Sequence, residues 1–196
     1  MSNKKLIIGF SIVTSVLLAV IVSLSIVLAS FSTKTNSPFR VTYTAGANVA
    51  AEVELAWAIV DEANIASTQA DAFTSAGVKE FNTTDTEETV VKDFDELVKS
   101  IGKDTALIMR YSLKNKDTAN ALSLTAEAKN ITTNNMSIGY TKDLTQGLKA
   151  GFSDVVSTTG ETIAANGAYV VYVVVQIILD TQNASASGTY TFNLAA

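Results

Sequence analysis

A two-residue alternation of apolar and polar side chains constrains the fold of this chain more than any other feature. The apolar positions of its clearest stretch are Val49, Ala51, Val53, Leu55, Trp57 and Ile59. Glu52 and Glu54 fall on the opposite face. Successive side chains of a β-strand point to opposite sides of the sheet, so this period predicts a half-buried strand.

The same rhythm recurs in other parts of the chain and predicts a mainly β fold. The other stretches are Phe39–Thr44, Leu107–Leu113, Leu122–Ala126, Met136–Tyr140 and Tyr190–Leu194. Tyr169–Leu179 is apolar on both faces, as expected of a central strand, and Asn166-Gly167 before it is a hairpin-type turn signal. Six or seven strands at this spacing predict an antiparallel β-sandwich.

One helix is predicted as an inserted connection from about Thr86 to Ile101. Asp85 and Glu88 have capping-box spacing, and Gly102 supplies a stop. The apolar residues that recur at helical intervals are Val90, Val91, Phe94, Leu97, Val98 and Ile101. The preceding segment Asn64–Thr84 is interpreted mostly as connection. A later spacing of four residues through Leu144, Leu148 and Phe152 suggests a further helical turn or two.

The N-terminal run Leu6–Ala29 has 24 residues without a charge. As a helix it would reach about 36 Å, enough to cross a hydrocarbon core of roughly 30 Å. A membrane anchor and a signal peptide cut near Ala29 both remain open, and both place the rest of the chain outside the cytoplasm. The predicted layout is therefore 1–29 anchor or signal, 30–38 linker and 39–196 β-sandwich, at the outer face of the membrane, the cell surface or a secreted matrix.

A type IV pilin stem is a further alternative for the same run. Lys4-Lys5 followed by Gly9-Phe10 is similar to a prepilin cleavage site that opens a long apolar helix. The fifth residue after that cut would be Thr14, where bacterial pilins generally carry Glu. The anchor or signal interpretation is therefore preferred.

The composition excludes several classes of chemistry. The chain has no Cys and no His, which excludes disulfides, thiol catalysis, His-based triads and imidazole ligation of metals. All 19 acidic residues but only 12 of the 14 basic ones follow residue 30. The part of the chain after residue 30 therefore has a net negative charge. A negative surface repels phosphate, which argues against a nucleic-acid partner.

Two parts of the sequence resemble a known group of proteins. These are Val41-Thr-Tyr-Thr-Ala45 leading into Asn48–Val53, and Ile163–Val175 with the ending Gly188–Leu194. They are similar to small exported surface proteins of Gram-positive-type bacteria, distantly related to camelysin and the TasA-type biofilm fibre proteins. The resemblance implies a jelly-roll or immunoglobulin-like sandwich at the cell surface, sometimes polymerised into fibres. Camelysin is also described as a metalloprotease, but no ligand motif for that activity maps onto this chain.

Several clusters are candidate sites of chemistry, and none is predicted to be catalytic, cofactor-binding or metal-binding. The acidic ones are Asp93-Phe-Asp-Glu96 with Glu87 and Glu88, and Asp61-Glu62. These acidic clusters lack the loop and the glycine of an EF-hand, so the preferred interpretation is that their carboxylates lie on a solvated surface. The sequons Asn82, Asn130, Asn135 and Asn183 indicate exposed loops.

Seven aromatic residues are candidates for a platform on which carbohydrate could stack. They are Trp57, Tyr111, Tyr140, Tyr169, Tyr172, Tyr190 and Phe192. Most share the apolar phase of their strands, so core packing is the preferred interpretation. Tyr172, out of phase with Tyr169, is the better candidate for an exposed ring.

The sequence therefore favours a non-catalytic structural protein of the cell surface or extracellular matrix. The uncharged terminal strand Thr189–Leu194 is predicted to be a sheet edge that accepts an extended segment by strand addition. Ser30–Tyr43 is the predicted donor, so self-assembly into filaments is expected. The alternatives are an adhesion or carbohydrate-binding module and a pilin-like subunit. Leu6–Ala29, if uncleaved, makes the membrane a partner, and no cofactor is expected.

Overall fold

Alternating burial is present along most strands of the computed structural model, which describes residues 38–151, 155–156, 160–178 and 184–196. The strands are β1 Phe39–Ala45, β2 Ala51–Asp61, β3 Thr74–Phe81, β4 Glu88–Asp93, β5 Thr105–Asn115, β6 Leu122–Asn134, β7 Met136–Thr141, β8 Glu161–Ile163, β9 Ala168–Ile177 and β10 Ser185–Ala195. The helices are α1 Asp95–Ser100 and three short 3-10 helices, Glu62–Ser67, Ala70–Ala72 and Leu144–Gln146. The described part of the chain is thus mainly β, as predicted.

The strands form two five-stranded sheets. Sheet A has the order β4-β1-β10-β6-β8, and sheet B has the order β3-β2-β5-β9-β7. Strand β1 runs parallel to β10, whereas every other pairing among the described strands is antiparallel. The prediction of a purely antiparallel sandwich with six or seven strands was therefore wrong in these two respects. Alternation reports which face of a strand is buried, but it carries no information about the direction of the neighbour.

Side chains of both sheets share one hydrophobic core, which gives the arrangement its sandwich-like character. Tyr111 of sheet B stacks on Phe192 of sheet A, with ring centroids 3.9 Å apart. The hydroxyl of Tyr140 in sheet B lies 2.6 Å from the hydroxyl of Tyr190 in sheet A, and both are buried. Paired aromatic rings add to the energy of buried area, so these contacts tie the sheets together.

The outer face of sheet B carries a second, smaller apolar cluster, which includes Ile108 and Val174. Residues 62–73 pass over this face and place Ile65 and Phe73 against it. The Phe73 ring lies 4.7 Å from the Arg110 guanidinium carbon. This segment, the strap, adds a third layer on sheet B.

Six residues of the predicted helix form a strand. Glu88–Asp93 forms β4, which pairs with β1, and the helix occupies only Asp95–Ser100. The Asp85 carboxylate accepts a hydrogen bond from the Asn82 backbone amide, so the expected capping box is not formed. Pairing with β1 satisfies the backbone of this β-branched stretch, and tertiary context here overrides local periodicity.

Two other predictions on local structure were right only in part. Asn64–Thr84 contains strand β3 in addition to connections, and Leu144–Gln146 is only a 3-10 turn. Chain reversal follows that turn, because Lys149 and Tyr140 exchange backbone hydrogen bonds of 2.8 and 2.9 Å. Among the described residues no helix is long and apolar enough to cross a membrane. The predicted anchor or signal 1–29 and residues 30–37 of the linker lie outside the described residues.

Replacing Tyr111 by phenylalanine should stabilise the domain by about 1 kcal/mol. The Tyr111 hydroxyl is buried and makes no hydrogen bond within the described part of the chain, so its removal relieves a desolvation penalty. Tyr190→Phe is the matched control, since it removes the bond to Tyr140 and should destabilise by about 1 kcal/mol. Urea unfolding of the three proteins measures both changes, and destabilisation by Tyr111→Phe would contradict the assignment.

Candidate assembly site

Strand β1 occupies a slot between β10 and β4 in sheet A. Its register on β10 runs from Phe39 opposite Gly188 to Ala45 opposite Leu194. On the other side, Arg40 to Ala45 pair with β4. Every partner of β1 is therefore distant in sequence, and the chain continues from Ala45 to the next strand only through Gly46–Ala50, called the hinge below.

The inner face of β1 fills the core with four buried side chains. These are Phe39, Val41, Tyr43 and Ala45. The Phe39 ring centroid lies 5.4 Å from that of Tyr190. Burial, and secondarily the charge of Glu88, raises the pKa of Tyr43. Since a buried side chain of this size contributes about 1.5–3 kcal/mol, a domain with an empty slot would lose much of its stability.

The Tyr43 ring packs against two aromatic rings of the core. Its centroid lies 6.2 Å from Phe81 and 6.4 Å from Tyr111, both in edge-on geometry. Both partners belong to sheet B, so Tyr43 couples β1 to the opposite sheet. The slot is therefore shaped for a strand with large aromatic side chains at its first and fifth positions.

The outer face of β1 is polar and makes weaker contacts. Arg40 forms an ion pair with Asp93 at 3.5 Å, and both side chains are about half exposed, so the pair contributes about 0–1 kcal/mol. The hydroxyl oxygens of Thr44 and Thr89 lie 2.9 Å apart, and these residues are also partners in the strand register. The buried inner face thus supplies most of the energy that seats β1.

The predicted acceptor edge is wrong. Strand β10, which contains Thr189–Leu194, is an inner strand of sheet A with β1 on one side and β6 on the other. Its lack of charge reflects a position inside a sheet, where both edges are hydrogen-bonded. The part of the predicted donor that the structure describes, Pro38–Tyr43, already lies at that edge because β1 pairs with β10 in the same chain.

Three of the four outer strands of the two sheets carry features that oppose addition of a foreign strand. A bulge interrupts β3 near Gly77, β4 is rich in charge, and β8 has only three residues. The part of β6 beyond β8 carries Glu127 and Lys129 and a bulge opposite Gly188. Bulges, charges and short strands are the usual protection of sheet edges. Assembly through β3, β4 or β8 is therefore disfavoured, whereas β7, the other edge strand of sheet B, has neither a charged residue nor a bulge.

The acidic candidates are dispersed into local ion pairs and turns. Asp93 pairs with Arg40, Glu88 with Lys79 at 2.7 Å, and Asp95 and Glu96 share Lys99. Within the described ranges, no three carboxylates converge in a way that could hold a metal ion. Side-chain hydrogen bonds from Lys99, first to Asp95 and then to Glu96, raise its pKa to about 12.

The pair Asp61-Glu62 lies at the end of β2, beside a shallow cleft of about 440 Å³ under the strap. Asn64, Gln69 and Asp71 also line this cleft. The Asp61 carboxylate accepts a hydrogen bond from the Asn64 amide at 3.5 Å. These are contacts of a polar turn, and they bring no buried catalytic group to the cleft.

Most of the aromatic candidates lie in the core. The buried ones are Tyr111, Tyr140, Tyr169, Tyr190 and Phe192. Trp57 is half-buried against the same core. Tyr172 points to the outer side of sheet B, as its phase predicted, but it is half-buried and packs on Phe73 with centroids 6.0 Å apart. The preferred interpretation of these rings as core is confirmed for the five buried residues.

The sequon asparagines lie at turns and bulges. Asn82 and Asn130 are exposed, and Asn135 is half-buried between β6 and β7. Asn130 and Asn135 have φ values of 54° and 55°, a left-handed conformation that asparagine tolerates better than most residues. Asn183 lies outside the described residues. The left-handed backbone thus accounts for the presence of asparagine at positions 130 and 135.

The sequence interpretation missed Asn115, a fully buried polar residue beside the hinge. Its side-chain amide donates to the carbonyls of Asn120, Ile163 and Ala164 at 2.9, 3.1 and 3.1 Å. Its side-chain oxygen accepts from the Asp117 backbone amide at 2.9 Å. The signal was present, because Asn115 continues the inward phase of Leu107–Leu113 with a polar residue.

The loop after Asn115 is ordered by its own hydrogen bonds and holds the end of the hinge. The Asp117 carboxylate accepts from the backbone amides of Ala119 and Asn120, and bonds of this kind lower its pKa, with that from Ala119 the largest cause. The Lys116 amide donates to the Ala50 carbonyl at 2.9 Å. Strand β2 therefore starts from a fixed point, and the exposed residues Ala47 and Asn48 form the free part of the hinge.

Comparison with known proteins adds no relative to this picture. A scan against models of protein families gave no match, and a search among curated proteins found no similar sequence.

Proposed function

We propose that this protein is a non-catalytic structural subunit of the cell surface or extracellular matrix, and that its copies are joined by exchange of strand β1. The observation that carries the proposal is the slot itself. A seven-residue strand near the start of the chain completes the core through distant contacts, and a five-residue hinge connects it to the next strand. An element with this connectivity can be replaced by the same element of another copy at low cost in contacts.

Features of the sequence support the location and the finer fold class. The apolar run Leu6–Ala29 would deliver the domain across a membrane as an anchor or a cleaved signal. The resemblance to camelysin and TasA-type proteins implies a jelly-roll or immunoglobulin-like sandwich, and two five-stranded sheets around one core agree with that class. The protection of three of the four outer strands, β3, β4 and β8, favours exchange of a whole strand over addition at those edges.

The adhesion alternative has less support in the described residues. A platform that stacks on sugars requires exposed rings, but the candidate rings are buried in the core or packed on the strap. The pilin-like alternative concerns Met1–Ala29, which lies outside the described residues. Neither alternative explains why three of the outer strands are guarded while the first strand is seated through distant contacts.

Mixing two single-cysteine variants of the full chain tests the exchange. The natural chain has no cysteine, so a Thr44→Cys chain and a Thr89→Cys chain carry one thiol each. These positions are partners across β1 and β4, at a separation that a disulfide can span. After joint unfolding, refolding and mild oxidation in detergent, we expect a covalent heterodimer, because β1 of one copy lies beside β4 of the other.

The matched control mixes Thr44→Cys with Thr162→Cys, an exposed position on β8 at the far edge of the same sheet. It should give only the background of random collisions, and so should each single variant alone. A Thr44–Thr89 heterodimer yield equal to this background would refute strand exchange.

A further inference from the structure

The turn between β3 and β4 presents a complete sequon, the Asn-x-Ser/Thr pattern that accepts N-linked glycans. The sequon is Asn82-Thr83-Thr84, and it follows directly after Phe81, the last residue of β3. All three of its residues are exposed. Exposed tips of connections are the places where enzymes most readily reach the chain of a folded protein, so this sequon is accessible without unfolding.

The fold leaves the side chains of this sequon free to react. The Asn82 backbone bonds to Asp85 in both directions, since its amide donates to the carboxylate and its carbonyl accepts from the Asp85 amide, each at 2.8 Å. These bonds hold the turn, but they use only main-chain groups of Asn82. Within the described ranges, the Asn82 side-chain amide and the Thr84 hydroxyl make no hydrogen bond. Both groups that the pattern requires are therefore available to a glycosyltransferase.

The sequon that begins at Asn135 is closed by the fold. Its middle residue, Met136, is 4% exposed and belongs to the core, and its third residue, Ser137, pairs with Gln176 in sheet B. The Asn135 carbonyl also accepts from the Ile178 amide at 2.9 Å. A transferase could bind this sequon only after β7 had left the sheet, which would expose buried apolar area.

The sequon that begins at Asn130 is also built into a sheet. Asn130 and Thr132 are exposed, but Ile131 between them packs against the core. Thr132 pairs with Ser187 on β10, so the third residue of this sequon is fixed in sheet A. Among the three sequons that the structure describes, the one at Asn82 is thus alone in having every residue exposed and outside a strand.

From this contrast we infer that Asn82 is the acceptor of an N-linked glycan. The Asn82 side-chain nitrogen attacks the anomeric carbon of a glycan carried on a lipid phosphate. A carbon–nitrogen bond forms, the bond from that carbon to the phosphate oxygen breaks, the nitrogen loses one proton, and the lipid phosphate leaves. The inference rests on the export that the proposed function includes, because export by Leu6–Ala29 brings the sequon to the membrane, but it does not depend on exchange of β1.

Peptide mass spectrometry of the full chain, extracted in detergent from the cells that produce it, tests the inference. Cleavage after lysine releases residues 80–92, in which Asn82 is the only asparagine. It also releases residues 130–142, which contain the sequons at Asn130 and Asn135. We expect the first peptide to gain the mass of one or more whole sugar residues and the second to keep its unmodified mass.

Three variants identify the linkage. Asn82→Gln removes the acceptor and Thr84→Val removes the required hydroxyl at nearly constant size, so both should lose the whole added mass. Thr83→Val is the matched control and should keep it, because the middle position of a sequon accepts any residue except proline. An unmodified 80–92 peptide, sugar found only on residues 130–142, or sugar that persists in Asn82→Gln would overturn the inference. None of these outcomes bears on exchange of β1, which the cysteine chains test separately.

Discussion

An Asn115→Asp variant should be less stable than the natural protein by about 4 kcal/mol, because it places a carboxylate against three carbonyl oxygens in a buried site. The natural amide donates to all three at 2.9–3.1 Å, and Asn115 is fully buried. The substitution removes these donors without a change in size. Chemical denaturation monitored by circular dichroism measures the loss in the free energy of unfolding.

The matched control is Asn193→Asp, the same chemical change at an exposed position on β10. It should change the free energy of unfolding by less than about 0.5 kcal/mol. If both variants lost the same stability, general effects of added negative charge would explain the result, and the role of Asn115 as a buried anchor beside the hinge would be wrong.

Above pH 10 the domain should lose stability steeply, with about 3 kcal/mol lost by pH 11 from Tyr111, Tyr169 and Tyr190, whose pKa values burial raises most. The five tyrosines with raised pKa values are Tyr43, Tyr111, Tyr140, Tyr169 and Tyr190, and burial is the largest cause for each. In the unfolded chain tyrosine ionises near pH 10, whereas the folded protein keeps these hydroxyls protonated. The stabilisation is thus complete below pH 10 and declines as pH rises, by up to about 1.4 kcal/mol per group and pH unit.

Two signals measured together check this pH dependence. Tyrosinate absorbance should rise in one cooperative step that coincides with the loss of β-sheet circular dichroism. In Tyr111→Phe, with one buried group fewer, the decline of stability with pH should be shallower than in the natural protein. Gradual ionisation of all tyrosines near pH 10 with the fold retained would show that these side chains are not buried as described.

Local patterns predicted the faces of strands but not their partners. The alternation identified the buried side chains of β1 and those of β2 as far as Leu55, since period two follows from strand geometry alone. It was wrong for Ile59, which is exposed, and it did not predict that Ala58 and Ile108 on the opposite faces are buried. Strand β3 was missed because a bulge at Gly77 and an edge position leave it without regular alternation. The parallel pairing of β1 with β10 joins opposite ends of the chain and has no local signal.

The helix around Phe94 was predicted to start too early, because residues of the preceding strand fit the same apolar spacing. Phe94, Val98 and Ile101 are buried at helical spacing around α1, as predicted. Val90 and Val91 fit the same spacing by chance and belong to β4. The candidate assembly site was also predicted only in part. The sequence identified β10 as an uncharged strand and β1 as an extended segment, but only the three-dimensional structure shows that the two strands pair with each other.

Locking β1 in its own slot tests the central claim most directly. A full-length Thr44→Cys/Thr89→Cys chain, oxidised while dilute and monomeric, joins β1 to β4 through partners whose hydroxyls lie 2.9 Å apart in the natural protein. Sedimentation in detergent after concentration should show the oxidised chain unassembled, and the reduced chain assembled like the natural protein. Assembly of the locked chain to the natural extent would contradict strand exchange as the link between copies.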